Sequence, residues 1–140
     1  MRLVKLGFLI LSLVMLCGCP EYIPELDMGI NIVNNSREDI VWLGLDDQIL
    51  NDTSKLVEKY PWRDIEDYVI SSGNMITDDF NSDNMKYLLN EGWIMIFLFS
   101  YDSIMTIPWD RIRDENIFLK KVYFETWEDM EACNFTITYP

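Results

Sequence analysis

The sequence contains no histidine. That removes the commonest general base, every Ser-His and Cys-His nucleophile pair, and every zinc site that uses imidazole. Basic residues are scarce, 11 Lys and Arg against 24 Asp and Glu, for a net charge of −13. Such a surface repels nucleic acid and anionic headgroups, so no nucleic-acid partner is expected. Of the 3 cysteines, Cys17 and Cys19 sit two residues apart near the start, which leaves Cys133 alone in the rest of the chain. A domain built on residues 28–140 therefore has no internal disulfide and must stand on packing. Internal repeats, low-complexity blocks and cofactor-binding motifs are all missing, and no cofactor is expected. No apolar run reaches the ~20 residues that a membrane-spanning helix needs.

What the chain does have is a distinctive beginning. Arg2 and Lys5 are the only charges before residue 20, and an apolar run follows from Leu6 to Leu16, interrupted by Gly7 and Ser12. A charged start, a short apolar core and a small residue at the cut are the layout of a secretory signal. The ending Leu16-Cys17-Gly18-Cys19 resembles the lipobox of bacterial lipoproteins, in which a cysteine is acylated and becomes the new N-terminus. Cys19 is the better acceptor, because Gly18 before it is small and Leu16 before Cys17 is bulky. Residues 1–18 then read as a lipoprotein signal peptide cut between Gly18 and Cys19. Residues 19–27, with Pro20, Pro24, Glu21, Glu25 and Asp27, read as a solvated tether, and residues 28–140 as one domain. Loss of Arg2 and Lys5 leaves 9 basic residues against 24 acidic ones and moves the net charge from −13 to −15. Attachment to a membrane must then come from buried acyl chains, each methylene contributing about 0.8 kcal/mol, and not from a basic patch.

Hydrophobic periodicity predicts a mainly β fold, a single antiparallel β-sandwich-like domain with short helical inserts. Met28 to Asn34 and Asp39 to Leu45 read as two strands of a hairpin about the turn Asn34-Asn35-Ser36-Arg37. Thr53 is placed to cap a helical turn from Lys55 to Lys59. Short strands are expected at Tyr68 to Ile70 and Met75 to Thr77. Ser82 to Glu91 carries Met85, Leu88 and Leu89 at helical spacing and ends at Gly92. Trp93 to Phe99 is an unbroken apolar run, expected as a strand buried on both faces, with Ile104 to Ile107 as its partner across the turn Ser100-Tyr101-Asp102-Ser103. Pro108 to Asp114 reads as a short helix and Ile117 to Phe124 as a strand. Thr126 with Asp129 reads as a capping box, and Asn134 to Tyr139 as the last strand.

Candidate chemistry is thin. Asp79, Asn81 and Asp83 alternate as in a calcium loop, but Asn84 holds the position where that loop needs glycine, and Glu91 falls one place late. No metal site is expected. With 14% aromatic residues, stacking on sugar rings is an open role, and Trp62 and Trp109 are the candidates. The triplet Asp102-Ser103-Ile104 resembles the O-glycosylation sequon of exported proteins in Bacteroides-like bacteria, with Ser103 as the acceptor.

Several segments together resemble a family of small uncharacterised lipoproteins of Bacteroides-like bacteria. They are Ile30 to Ser36, Phe97 to Ile107, Trp109 to Arg113, Leu119 to Tyr123 and Phe135 to Pro140. The resemblance implies a cell-envelope location, lipid-anchored and outer-membrane, and brings no catalytic residue. Two roles follow as expectations. One is a non-enzymatic module binding a glycan, a peptide or an envelope protein. The alternative is a hydrolase using paired carboxylates. Replacing Cys19 by serine should move the protein from the membrane pellet to the soluble fraction. Retention of Cys19→Ser in the pellet, with release of Cys17→Ser, would overturn the assignment.

Overall fold

The computed structural model describes residues 28–46, 56–80 and 82–140. The signal, tether and Cys19 readings lie outside these residues, as do Thr53, Asn81 and the side chain of Ser82. The fold is mainly β, with two sheets and short helices. Seven strands form: β1 (Met28–Asn34), β2 (Ile40–Asp46), β3 (Val69–Ile70), β4 (Met75–Phe80), β5 (Ile94–Ser100), β6 (Lys120–Phe124) and β7 (Thr136–Tyr139). Four α-helices accompany them among the described residues, α1 (Ser82–Glu91), α2 (Tyr101–Thr106), α3 (Trp109–Glu115) and α4 (Trp127–Ala132), with a 3₁₀ helix at Ile65–Tyr68. The three-stranded sheet has the order β4-β1-β7 and the four-stranded sheet β3-β2-β5-β6. All pairs are antiparallel except β1 with β7, which is parallel.

Strand β5 decides the layering. Its residues 94–99 are all buried, and successive side chains on a strand point to opposite faces. Ile94, Ile96 and Leu98 enter one apolar cluster with Ile30, Ile32 and Ile137 of the three-stranded sheet. Met95, Phe97 and Phe99 enter a second, with Leu56, Trp62, Ile104 of α2 and Ile112 of α3. The molecule is thus a sandwich of two sheets whose four-stranded sheet is covered again on its outer face by helices and by the 56–65 segment. The outer face of the other sheet is polar, as where Thr77 Oγ1 donates to Asn31 Oδ1 at 2.8 Å. Gly29 fits there because a Cβ would collide with the Thr77 side chain lying across it.

The expected β1–β2 hairpin does not form: the two strands belong to different sheets. β1 has one apolar face and suits an outer sheet. Ile40 through Leu43 and Leu45 are buried on both faces and suit a place beside β5. The crossing between sheets is organised by Asn34, which is 0% exposed. Its Nδ2 donates to Glu38 O at 2.8 Å and Ile70 O at 2.9 Å, and its Oδ1 accepts from Ser36 Oγ and Ser36 N. The second crossing, from β3 to β4, is tied to the same residue, with Gly73 N donating to Asn34 O at 2.8 Å. Gly73 sits at φ +76, a conformation that glycine adopts without strain.

Two further expectations change. Ile104 to Ile107 is not a strand, because Tyr101 to Thr106 is helix α2 and the supposed turn is its first turn. Spacing by threes sends Tyr101, Ile104 and Ile107 to the same cluster, a helical repeat too short to stand out in the sequence. Leu56 to Lys59 forms no helix. The last strand starts at Thr136, not Asn134, because Asn134 and Phe135 both take left-handed backbone at φ 52 and 50. For phenylalanine that conformation costs on the order of 1 kcal/mol or more. Packing of its ring on Trp127, 5.2 Å between centroids, offsets the cost. The capping box at α4 forms as expected: Thr126 Oγ1 accepts from Asp129 N, and Asp129 accepts from Thr126 N at 2.9 Å. The backbone N–H groups of Thr126 and Glu125, both donating to the Asp129 carboxyl, hold it below its usual range.

Phe97 is 2% exposed and meets the rings of Phe99 and Phe118. Phe97→Ala should lower the urea-unfolding free energy by about 3–5 kcal/mol. A loss below about 1 kcal/mol would remove β5 from its central role.

Candidate functional site

Strand β3 pairs only with Ile40 and Val41 of β2. Beyond Val41 the outer edge of β2 has no strand beside it among the described residues. The Trp62 indole turns to this edge and donates to Trp42 O at 3.1 Å. The Trp42 peptide groups therefore point away from β5, and strand alternation turns those of Gly44 the same way. Gly44 has no side chain to close the space.

A cavity of about 560 Å³ wraps this edge. Ligand pockets commonly have about 300–1,000 Å³ and mostly apolar walls. Between the sheets it is lined by Ile30, Trp42, Ile94 and Ile96, with Met85 and Leu88 of α1 above them. On the other side of β2 its wall is Leu43, Leu45, Val57 and Trp62, and Lys59 and Tyr60 also line it.

Two polar groups interrupt the apolar walls. Trp42 is 9% exposed, and its Nε1 is buried with no hydrogen-bond partner. A buried donor left unpaired costs about 1–3 kcal/mol, so it is an exception that asks for an explanation. The second group is Asp78 of β4, paired in register with Ile30 of β1. The alternation Ile76, Asp78, Phe80 carries this acid onto the inward face, where Ile76 and Phe80 pack against the core. Its neighbour Asp79 is exposed. Burial pushes the Asp78 carboxyl above its usual range, and the Asp79 charge adds to the rise. Burial also pushes the Tyr60 phenol up. Asp78 is the one carboxylate on the cavity wall among the described residues. A hydrolase built on two convergent carboxylates would need another beside it.

Trp62 and Trp109 do come together, with ring centroids 5.6 Å apart and nearly perpendicular. They do so as packing elements. Trp62 is 4% exposed and meets Phe99 edge to face, so it is buried where a loop-edge position was expected. Trp109 is half-buried at the start of α3 and its Nε1 donates to Val57 O at 3.0 Å. The Trp62 ring presents no open face for a sugar, whereas Tyr60, packed against both, is 47% exposed. Ser103 is half-buried within α2, and its carbonyl accepts from Ile107 N at 2.9 Å. Cys133 is half-buried, and its Sγ donates to Met130 O at 3.1 Å. Asp79 is the penultimate residue of β4 and Asp83 the second residue of α1. No group of three or more Cys, Asp or Glu residues gathers to hold a metal among the described residues. None of the described helices is long and apolar enough to cross a membrane.

Trp42 and Asp78 were not singled out by the sequence. The signal for Asp78 was an acid in phase with Ile76 and Phe80 on one strand face. Trp42 gave none, because an aromatic residue in a buried strand is ordinary packing. No known protein family, curated protein or solved structure matches the chain.

The raised carboxyl fixes the sign of a pH effect. An acid whose folded pKa lies above its unfolded value opposes folding when ionised. The relief is full below the unfolded value and is lost as pH rises through the folded one. Asp78→Asn should therefore stabilise the chain at neutral pH, and the gain should vanish below about pH 3.8, the ordinary value. Urea unfolding of both proteins across that range is the check, and an Asn variant less stable at pH 7 would contradict it.

Proposed function

We propose that the chain is a lipid-anchored module of the bacterial cell envelope that binds a small, largely apolar ligand without transforming it. The observation that carries the binding half is the apolar cavity at the open edge of β2, with its few polar groups. The single carboxylate on its wall favours binding over two-carboxylate hydrolysis. The anchoring half rests on the Gly18-Cys19 ending and on the likeness to small Bacteroides-type lipoproteins. The two halves meet in space. Ile30, three residues into the described chain, lines the cavity, so the site lies at the end of the domain where the tether joins it. A tether of residues 19–27 spans at most about 30 Å when fully extended, which keeps the cavity close to the membrane surface.

The neutral dye Nile red should bind the Cys19→Ser chain, which carries no lipid, with one-to-one stoichiometry and increased fluorescence. Leu88→Trp, which fills the cavity from α1, should weaken uptake at least tenfold, about 1.4 kcal/mol. Met85→Phe serves as a second filling variant if the first lowers the unfolding midpoint. A folded chain that takes up no dye, or filled variants that bind it unchanged, would defeat the reading.

A further inference from the structure

The cavity walls carry an acceptor and a donor, and the donor is buried with no partner of its own. Asp78 supplies the acceptor on one sheet, and the Trp42 indole N–H supplies the donor on the other. None of the ion pairs found among the described residues involves Asp78; they join Arg111 to Glu115 and Arg113 to Asp114. The Asp79 charge acts on the Asp78 carboxyl from the next position of β4, and Lys59, itself exposed, also lines the cavity. Four aromatic residues share the wall: Trp42 and Tyr68, with ring centroids 5.5 Å apart, and Tyr60 and Trp62, 5.4 Å apart.

An anionic ligand is poorly suited to this wall, because it would meet the Asp78 carboxylate in a partly dry space within a chain of net charge −13. A neutral hydrocarbon would leave the Trp42 donor unpaired. We infer that the cavity selects an apolar organic ammonium carrying an acceptor oxygen, its cation facing Asp78 among the aromatic rings and its oxygen accepting from Trp42 Nε1. The inference rests on the binding role proposed above and assigns the ligand's chemical class. The ammonium supplies a countercharge to Asp78, which joins none of the ion pairs found among the described residues, and the ring faces attract it through their quadrupoles. The acceptor oxygen satisfies the buried N–H, and the apolar remainder fills the rest of the cavity.

Three probes sharing one skeleton separate these terms. They are L-phenylalanine amide, 3-phenylpropanamide, which lacks only the amine, and 3-phenylpropanoate. Titrations of the Cys19→Ser chain at about pH 6 keep the α-ammonium charged. Phenylalanine amide should bind at least about tenfold tighter than 3-phenylpropanamide, with 3-phenylpropanoate weakest. Asp78→Asn should cut that preference below about twofold. The Trp42 indole ¹H–¹⁵N resonance should shift with both amides, which share the carbonyl. A neutral amide that binds as tightly as the ammonium overturns the inference, and the binding role stands. So does failure of phenylalanine amide to bind a chain that takes up Nile red. Failure of the dye as well removes the binding role itself.

Discussion

An unbroken apolar strand needs cover on both faces, and most of this architecture is the answer to that need. Residues 94–99 of β5 divide the apolar interior into two clusters by simple alternation. The three-stranded sheet, α1 and α4 cover one side, while α2, α3 and the segment around Trp62 cover the other. Burying one large apolar side chain contributes roughly 1.5–3 kcal/mol. Exposing either face of β5, with three such side chains, would therefore forfeit roughly 4.5–9 kcal/mol, comparable to a domain's typical net stability of about 5–15 kcal/mol. The helices are short and individually weak, since helices under about 12 residues are marginal on their own. They persist because Ile104, Ile112 and Met130 are buried against the sheets.

The chain crosses between the two sheets four times, and two of these crossings, β1 to β2 and β3 to β4, converge on Asn34. A buried asparagine has two donors and an acceptor oxygen, and here each kind is used: Glu38 O and Ile70 O accept, and Ser36 donates. Ser72 adds two ties, its N to Asp39 Oδ1 and its Oγ to Ser36 O. This end of the sandwich is closed by hydrogen bonds. Among the described residues, the other end, where β2 runs past its short partner β3, has only side chains to close it, and there the cavity lies. The contrast comes from pairing lengths: two residues of β3 against seven of β2.

The strands were legible wherever burial and alternation agreed. Met28–Asn34 and Ser82–Glu91 have the expected bounds, and the β5 run is offset by one residue. Errors came where pairing partners had to be chosen. Asn34 to Arg37 has hairpin composition, but composition carries no information about which sheet the next strand will join. That is set by two-faced burial in β2, a property of the whole fold. The helix at Tyr101 was hidden because isoleucine and threonine favour strands locally, and only packing against Phe99 and its neighbours overrides them. The cavity was invisible for a related reason. Asp78 and Trp42 lie on different sheets, so their meeting depends on the crossings that the sequence reading missed. Trp62 and Trp109 were chosen for their loop positions, and loops in this fold carry core residues.

The parallel pairing of β1 with β7 joins the first and last described strands, with Asn31 opposite Thr136. About a hundred residues separate those partners, and neither central strand β1 nor its neighbours can form a complete sheet until the segment 136–139 is available. Pairings of such long range are slow, because loop closure must come before the contacts that reward it. The four-stranded sheet, built from β2, β3, β5 and β6, can assemble earlier. Its inner face then waits for a cover that arrives last. Until residues 136–139 are in place, β1 lacks a partner on one side and the sandwich cannot lock shut.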